Sequence, residues 1–531
     1  MKLRKLLCCA LASVTAVTML ASCGGKGGST VDKSKLTGPA RYDEQIEIKI
    51  PVYDRGMQGQ ADVDNNYWTN YVQENFGDKY NIKMTFVPIT RKEDVSVFNQ
   101  LLAAGEQPDI LFSYDYPTVM SYYSRGAFQP IDEDILKLYA PTFYENTKDL
   151  SEYAMADGER YFLTARRPKD YSWTVVIRQD WLDKAGLQMP KSREEYVEVL
   201  RKFKELKLGG EDTIPEAKQL WNAYFPNYAY REYPLSEEDN AMYSDITVAS
   251  LTWEPTKKEL QYWNQLYNEG LMSKEWMLDK DGSQMRADFI SGKVGVYGFY
   301  LSQNPPVVQS LLENVPDAKL SVIGPYWGTP EGGVPAGRAE WPFGMVAGIS
   351  KKCEHPEAVM MYYEWLSQPE NLFVMQNGIE GVTYNMEGDI PVLVDNYTGT
   401  ERLNYNSNKD MWCLVTESKD YGSEENNLAA QKVTYAPAGF EYLIQENYDY
   451  YQNDTKQYQY TDFLFDRSIE SISQYGETLK SKWEVIQVDL ITCKPEEFEA
   501  KYEAACKEYL EAGYQAVLDE KAEVYKAIQS K

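Results

Sequence analysis

Apolar and polar positions change period along this chain, and each change marks an element. The run IEIKIPV at 46–52 alternates apolar with polar residues and predicts a first strand, ending in the loop Tyr53-Asp54-Arg55-Gly56-Met57. Trp68, Val72 and Phe76 then share one helical face, with Gly77 as the expected C-cap, and 82–87 predicts a second strand. A helix carrying Val95, Phe98, Leu101 and Leu102 closes at Gly105, before a third strand at 109–112 and the segment Ser113-Tyr114-Asp115-Tyr116. Strand and helix alternating in this order predict an α/β fold with a mostly parallel sheet and helical cross-overs.

The stretch 157–203 reads as a crossing between two lobes. A turn at Asp157-Gly158 opens the apolar run Tyr161, Phe162, Leu163, and a second β-rich run covers 173–177. A helix at 180–185 stops at Gly186; the next starts at Ser192, whose hydroxyl can cap the Glu195 amide while Glu195 reaches back. Its residues Tyr196, Val199, Leu200, Phe203 and Leu206 face one way. Thr256 and Glu259 predict a second capping box, for a helix showing Leu260, Trp263, Leu266 and Tyr267 and ending at Gly270. Further on come a strand at 320–325, a long Gly/Pro loop holding Trp327, Arg338, Glu340 and Trp341, a helix with Pro356 near N1, and helices from 466 to 527 expected to pack on the second lobe. The Tyr-rich run at 222–234 has no clear period and reads as a loop or insertion.

Composition narrows the function. The 531 residues exceed one core and suit two lobes. A net charge of −27 argues against nucleic acid, although a few arginines in a cleft can still serve an acidic ligand locally. With 43 Tyr and 12 Trp the chain is rich in side chains joining a flat apolar face to a polar tip, which suits carbohydrate clefts as well as ordinary packing. The single His355 stands directly before Pro356, so a Ser-His-Asp triad or a multi-histidine metal site has no support. Neither a P-loop nor a dinucleotide fingerprint occurs, and no cofactor is expected. A glycosidase needs only two carboxylates at a set separation, which sequence does not give, so a carbohydrate-active enzyme stays an alternative. Asp62, Asp64 and Asn65 lack the Gly and terminal Glu of an EF-hand loop, and no metal is expected. Outside the leader and Cys23, the cysteines are Cys353, Cys413, Cys493 and Cys506; the last two read equally well as a disulfide or as free thiols.

At the amino terminus, Lys2, Arg4 and Lys5 precede an apolar stretch at 6–20 and the small residues Leu20-Ala21-Ser22-Cys23, which resembles the lipobox of bacterial lipoproteins. That resemblance implies a signal peptide at 1–22, a lipid on Cys23, a flexible tether at 23–40, and a mature chain three charges more negative. The crossing itself, strand, short connection, strand returning to IRQDWLDKAGL and then a capped helix, resembles the hinge of extracellular solute-binding proteins of ABC importers, in their large lipoprotein, oligosaccharide-handling branch. LLAAGEQPDILF, GAFQPID at 126–132, DFISGKVGVYGFY at 288–300 and NGIEGVTY at 377–384 are similar to further segments of that family. In its large members a calcium loop often precedes Ile-Pro; here LKLGGEDTIPEA keeps Ile214-Pro215 but lacks the alternating carboxylates.

The resemblance implies an α/β, two-lobed, periplasmic-binding-protein-like fold of type II, each lobe a mixed, mostly parallel sheet flanked by helices, joined by hinge crossings. The first lobe would hold 41–165 and 340–395, the second 166–339 and 396–531. Ligand-binding candidates are Asp54, Arg55, Tyr114, Asp115, Arg166, Tyr171, Trp173, Tyr300 (with Phe299 as second choice), Arg338, Trp341 and Trp412. For the tryptophans core packing is the alternative, and for Arg166 and Arg338 a surface ion pair. The function implied is a monomeric, lipid-anchored receptor on the outer face of the cell membrane, not an enzyme. It would capture an oligosaccharide between the lobes and deliver it to an ABC importer permease. A peptide-binding or adhesive surface lipoprotein is the alternative.

Overall fold

The computed structural model describes residues 38–56, 59–167, 173–218, 233–244, 248–300, 304–394, 397–403 and 408–530, with backbone alone at 173, 299, 300, 304 and 305. The signal peptide, Cys23, Tyr171 and nearly all of the Tyr-rich run therefore lie outside the described residues, as do the side chains of Trp173, Phe299 and Tyr300.

Strands β1 (Ile46–Asp54) and β2 (Ile82–Thr90) pair in parallel, as the cross-over pattern predicts. The Asp109 amide donates to the Lys49 carbonyl at 2.9 Å and brings β3 (Ile110–Ser113) alongside β1. The hairpin β4 (Met155–Ala156) and β5 (Glu159–Arg160) turns at Asp157-Gly158 and leads into β6 (Phe162–Arg166). A second sheet has the order β10-β7-β9-β8, built from β7 (Trp173–Arg178), β8 (Ile214–Glu216), β9 (Val294–Tyr300) and β10 (Leu320–Val322). The chain then passes through β11 (Gly337–Ala339) into β12 (Phe343–Ile349), which inserts between β3 and β6 in the first sheet. A hairpin of β13 (Tyr384–Glu387) and β14 (Ile390–Leu393) follows, and β15 (Gln459–Thr461) pairs with β11.

The sheets are mixed, but the mostly parallel expectation needs correcting. β12 runs antiparallel to both β3 and β6, and β7 antiparallel to both β9 and β10. The reason is the crossing. β6 ends at the carboxyl edge of the first sheet, so a chain that returns there must start its strand at that edge and run the opposite way. β12 is buried at all seven positions because it lies between two strands, and its Gly348 admits the Phe128 ring, which a Cβ would meet at 2.5 Å.

Local signals mostly hold. Gly186 ends helix Gln179–Ala185 with φ +67°, and the Ser192 hydroxyl accepts the Glu195 amide at 3.2 Å; Glu195 reaches back to the Lys191 amide rather than to the cap. Two expectations fail. The helix expected to stop at Gly77 continues through a wide turn to Tyr80 and is closed by left-handed Asn81. The predicted capping box at Thr256 does not form: the helix begins at Glu254, where Pro255 suits the first turn, Thr256 bonds the Ser250 hydroxyl at 2.9 Å, and Glu259 accepts the Trp263 indole N–H at 3.2 Å. Helices Glu470–Thr492, Phe498–Tyr509 and Gln515–Gln529 pack Leu479, Trp483, Leu490, Phe498 and Val517 into one core with Trp181, Phe203, Leu260 and Trp263 of the second sheet's helices. Cys353, Cys413, Cys493 and Cys506 are all free thiols.

That core contains a charge. Just past β8, Lys218 is 1% exposed, its Nζ lies 3.5 Å from the Trp263 ring centroid and 5.6 Å from that of Trp276, and among the described residues it meets no hydrogen-bond acceptor. Burial pushes its pKa down to about 8, against the pull of Glu259 and Glu216; Glu216, which accepts the Tyr196 hydroxyl at 2.9 Å, is pushed up to about 7 by burial. Between pH 8 and 10.5 the unfolded chain therefore binds more protons at Lys218 than the folded one, and its stability penalty fades as pH rises through that window. Lys218→Met, which fills the same slot without charge, is expected to raise stability at pH 7 by about 1–3 kcal/mol, with the gain shrinking toward pH 10.5. Calorimetry of parent and variant across that range checks this. A fall in melting temperature at pH 7 would show that the ring and carboxylate attractions outweigh desolvation.

Candidate ligand-binding site

Loops at the carboxyl edge of an α/β sheet collect ligands because strands end there with side chains facing one space. At this edge of the first sheet stand the ends of β1, β3 and β6 and the start of β12. Arg55, just past β1, makes a two-point ion pair with Asp410, Nη2 to Oδ1 at 2.7 Å and Nε to Oδ2 at 3.1 Å. Tyr114, just past β3, donates its hydroxyl to the same Asp410 Oδ1 at 2.8 Å. Asp410 is buried, with 4% of its side chain exposed, whereas Arg55 keeps 24%. Burial disfavours the Arg55 charge, but Asp410 outweighs it and the guanidinium pKa moves upward; burial and then Asp410 hold the Tyr114 hydroxyl protonated. Beneath them the Tyr53 hydroxyl and Arg91 share Asp94 Oδ2 at 2.8 and 2.7 Å, and the Arg91 guanidinium lies 4.6 Å from the Tyr53 ring centroid.

Asp54 and Asp115 have structural tasks here. Asp54 is exposed and accepts the Gly56 amide at 2.9 Å, shaping the turn; Asp115 caps helix Tyr116–Ser124 through the Thr118 amide at 3.0 Å. Arg166 donates to the Asn146 carbonyl at 2.7 Å and pairs with Asp149, on a half-exposed surface. Its neighbour Arg167, not singled out in the sequence, binds Glu340 at 2.8 Å and Glu417 together. Gly344 makes room for the Glu417 carboxylate, which a Cβ there would overlap.

Trp341 lies beside these charges. Its ring stacks on Phe343 with centroids 5.7 Å apart and an interplanar angle of 16°, Tyr153 packs edge-on at 6.1 Å, and part of the indole stays exposed. The register of the second sheet sets Trp173 directly opposite Tyr300, where β7 starts and β9 ends, so both backbones stand at the edge next to the crossing. Arg338 is paired with the buried Asp462 at 2.5 Å, fastening β11 to β15. Trp412 is 6% exposed among Met411, Cys413, Leu414 and Val415, and is a packing residue. The candidates thus gather into two groups: Arg55 and Tyr114 about Asp410, and Trp341 beside Arg167, Glu340 and Glu417. Asp410 and Glu417 went unnoticed in the sequence because nothing local marks a carboxylate whose partner is hundreds of residues away.

Among the described residues, no group of three or more His, Cys, Asp or Glu is placed to hold a metal ion. Glu211, of the stretch compared with the family's calcium loop, instead pairs with Lys207 at 2.6 Å.

The sequence model for bacterial extracellular solute-binding proteins matches residues 61–372. The polygalacturonan/rhamnogalacturonan-binding protein YtcQ of Bacillus subtilis is 26% identical over 392 residues, 70% of this chain and 72% of that one. Among solved structures, the alginate-binding protein AlgQ2 superposes with a TM-score of 0.64 at 18% identity, over 92% of this chain and 99% of its own. The substrate-binding protein FusA of Streptococcus pneumoniae, in complex with kestose, does so at 0.63 and 15%, over 91% and 99%. These structural likenesses establish the two-lobed type II fold.

Proposed function

We propose, from the premise that this chain belongs to the bacterial extracellular solute-binding proteins, that it captures an oligosaccharide between two lobes and hands it to the permease of an ABC importer. The observation carrying this reading is Trp341, a partly exposed indole already stacked on Phe343, with the polar groups of Arg167, Glu340 and Glu417 beside it. A sugar ring offers the complementary surface: apolar C–H faces for the indole and hydroxyls at the rim for carboxylates and guanidinium. The relatives named above bind polygalacturonan, alginate and kestose, all of them glycans or glycan fragments, which supports the class of ligand without choosing its charge.

In this reading the lobes are 41–165 with 340–395 and 166–339 with 396–531, and residues 402–403 and 408–413 are assigned to the first. The Arg402 carbonyl accepts the Trp68 indole N–H at 3.2 Å, the Asn408 amide donates to the Met375 carbonyl at 2.6 Å, and Asp410 holds Arg55. The passages at 337–343 and 415–417 serve as hinge, and ligand favours the closed arrangement only by as much as it gains contacts from both lobes. Export through a signal peptide at 1–22 and a lipid on Cys23 complete the reading, supported by the lipobox. Among the described residues no helix is long and apolar enough to cross a membrane.

A thermal-shift screen of the whole chain against glycans, amino acids and short peptides tests this. A ligand at 100 times its dissociation constant adds about 2.7 kcal/mol of stability and raises the melting temperature visibly. A shift with one glycan class, and no shorter sugars released on long incubation, is the expected result. A shift with peptides alone overturns it, and slow release of shorter sugars would mean that carboxylates at the site are catalytic.

A further inference from the structure

The two lobes bring a lysine and a carboxylate near each other without joining them. On the first lobe β2 ends at the carboxyl edge, and the chain turns through Arg91, Lys92 and Glu93 into helix Asp94–Ala104. Arg91 belongs to the floor of the site: its guanidinium lies 4.6 Å from the Tyr53 ring centroid and 5.8 Å from that of Tyr114. Lys92 beside it is exposed. So is Val95 in the first helical turn, at 42%, although its spacing from the buried Phe98 suits the inward face.

On the second lobe, Trp276–Leu278 forms a single 3₁₀ turn in which Trp276 is buried while Leu278 is 72% exposed, the most exposed large apolar side chain among the described residues. Asp279 is buried and accepts the Met285 amide at 2.8 Å at the start of helix Ser283–Ile290. Met285 and Phe289 of that helix share a core with Val294 and Tyr297 of β9, so this lip is fastened to the second sheet. Asp281 is exposed and accepts the Ser283 amide at 3.1 Å. Its carboxyl pKa is lowered, first by the Ser283 hydroxyl and amide and in smaller part by the Lys92 ammonium of the other lobe. The field of Lys92 therefore reaches Asp281, yet among the described residues neither belongs to an ion pair.

Each lip thus leaves one charge and one apolar side chain in water, Lys92 with Val95 and Asp281 with Leu278, and the two sets are complementary. Resting on the two-lobe closing described above, and not on which ligand is bound, we propose that Lys92 and Asp281 form an inter-lobe latch: on closure the ammonium meets the carboxylate, and Val95 and Leu278 cover each other. The latch lies apart from the groups around Asp410 and Trp341. It gives the closed chain a contact that every ligand shares, and it sets the balance of open and closed chains before any ligand binds.

Disulfide trapping in the whole chain, with no ligand added, tests this. Val95→Cys combined with Leu278→Cys reports the meeting of the lips, and single-substitution controls subtract any reaction of Cys506, the one partly exposed thiol among the described residues. A cross-link is expected to form in this background, and to form about two- to fivefold more slowly once Lys92→Gln or Asp281→Asn is added, the scale of an exposed ion pair. Asn keeps an oxygen for the Ser283 amide, so the turn survives. Lys92→Gln and Asp281→Asn together are expected to be no slower than either alone, and about 1 M salt to erase the differences. Equal rates in all backgrounds, or single effects that multiply, overturn the latch and leave the closing of the lobes standing. No cross-link in any background, with melting temperatures unchanged, shows that the lips never meet, which removes the latch together with the closure that would bring them there. The oligosaccharide reading is judged separately, by the thermal-shift screen.

Discussion

Replacing Asp410 by Ala is expected to lower the stability of the folded chain by about 3–5 kcal/mol, the scale observed when one member of a buried ion pair is removed. Asp410 is the buried member, with 4% of its side chain exposed, and a single oxygen of it accepts both Arg55 and Tyr114. Without it, the Arg55 guanidinium keeps its charge but loses both bonds to that carboxylate, and the Tyr114 hydroxyl loses its acceptor. Asp410→Asn keeps the shape and one acceptor oxygen, so its loss is expected to be smaller. Denaturant unfolding of both variants measures the difference. A loss below about 1 kcal/mol for Asp410→Ala would mean that Arg55, 24% exposed, swings to water and that the pair is worth no more than a surface salt bridge.

This pair also marks the boundary of what a sequence discloses. Arg55 was legible, because it follows an alternating strand at a position where α/β sheets gather ligands. Its partner was not, since 355 residues separate the two and nothing about Asp410 in KDMWCLV distinguishes it from the other acidic residues. The same stretch carried a signal that was available, though: Met411 to Val415 is an uninterrupted apolar run, and all five side chains are buried, so Trp412 belonged to the core by its neighbours alone. In the doublet Arg166-Arg167 no local rule says which guanidinium faces the site. The strand ends there, and the choice falls to partners far away, Asn146 and Asp149 for one and Glu340 and Glu417 for the other.

Elements fixed by short-range chemistry were readable with their ends. Ser192, Gly186 and Pro356 stop or start helices by hydrogen bonding and backbone freedom that need no tertiary partner. The sense of strand pairing was not readable, because β12 and β7 owe their direction to where a crossing delivers the chain. Thr256 shows local chemistry yielding to a stronger local signal, Pro255 in the first turn of a helix that begins three residues earlier, with Trp253 as N-cap.

Trp341→Ala is expected to weaken oligosaccharide binding by about 1–3 kcal/mol, roughly five- to 150-fold in dissociation constant, from lost stacking and apolar burial. The geometry makes the loss fall on binding more than on folding. Phe343 beneath it is 1% exposed and stays packed against Tyr116 and Tyr153, so the floor of the platform survives while its exposed layer goes. Trp341→Phe retains a flat face over Phe343 and is expected to recover most of the affinity, since stacking on a sugar asks for a ring rather than for the indole N–H. Titration of parent and both variants with the glycan found by thermal shift, alongside their melting temperatures, separates the two roles. If Trp341→Ala binds like the parent and only melts earlier, the indole is a lid on the aromatic cluster of Tyr116, Tyr153 and Phe343. The sugar would then have to be held by the charged groups alone, which would favour a shorter and more strongly hydrogen-bonded ligand over an extended chain.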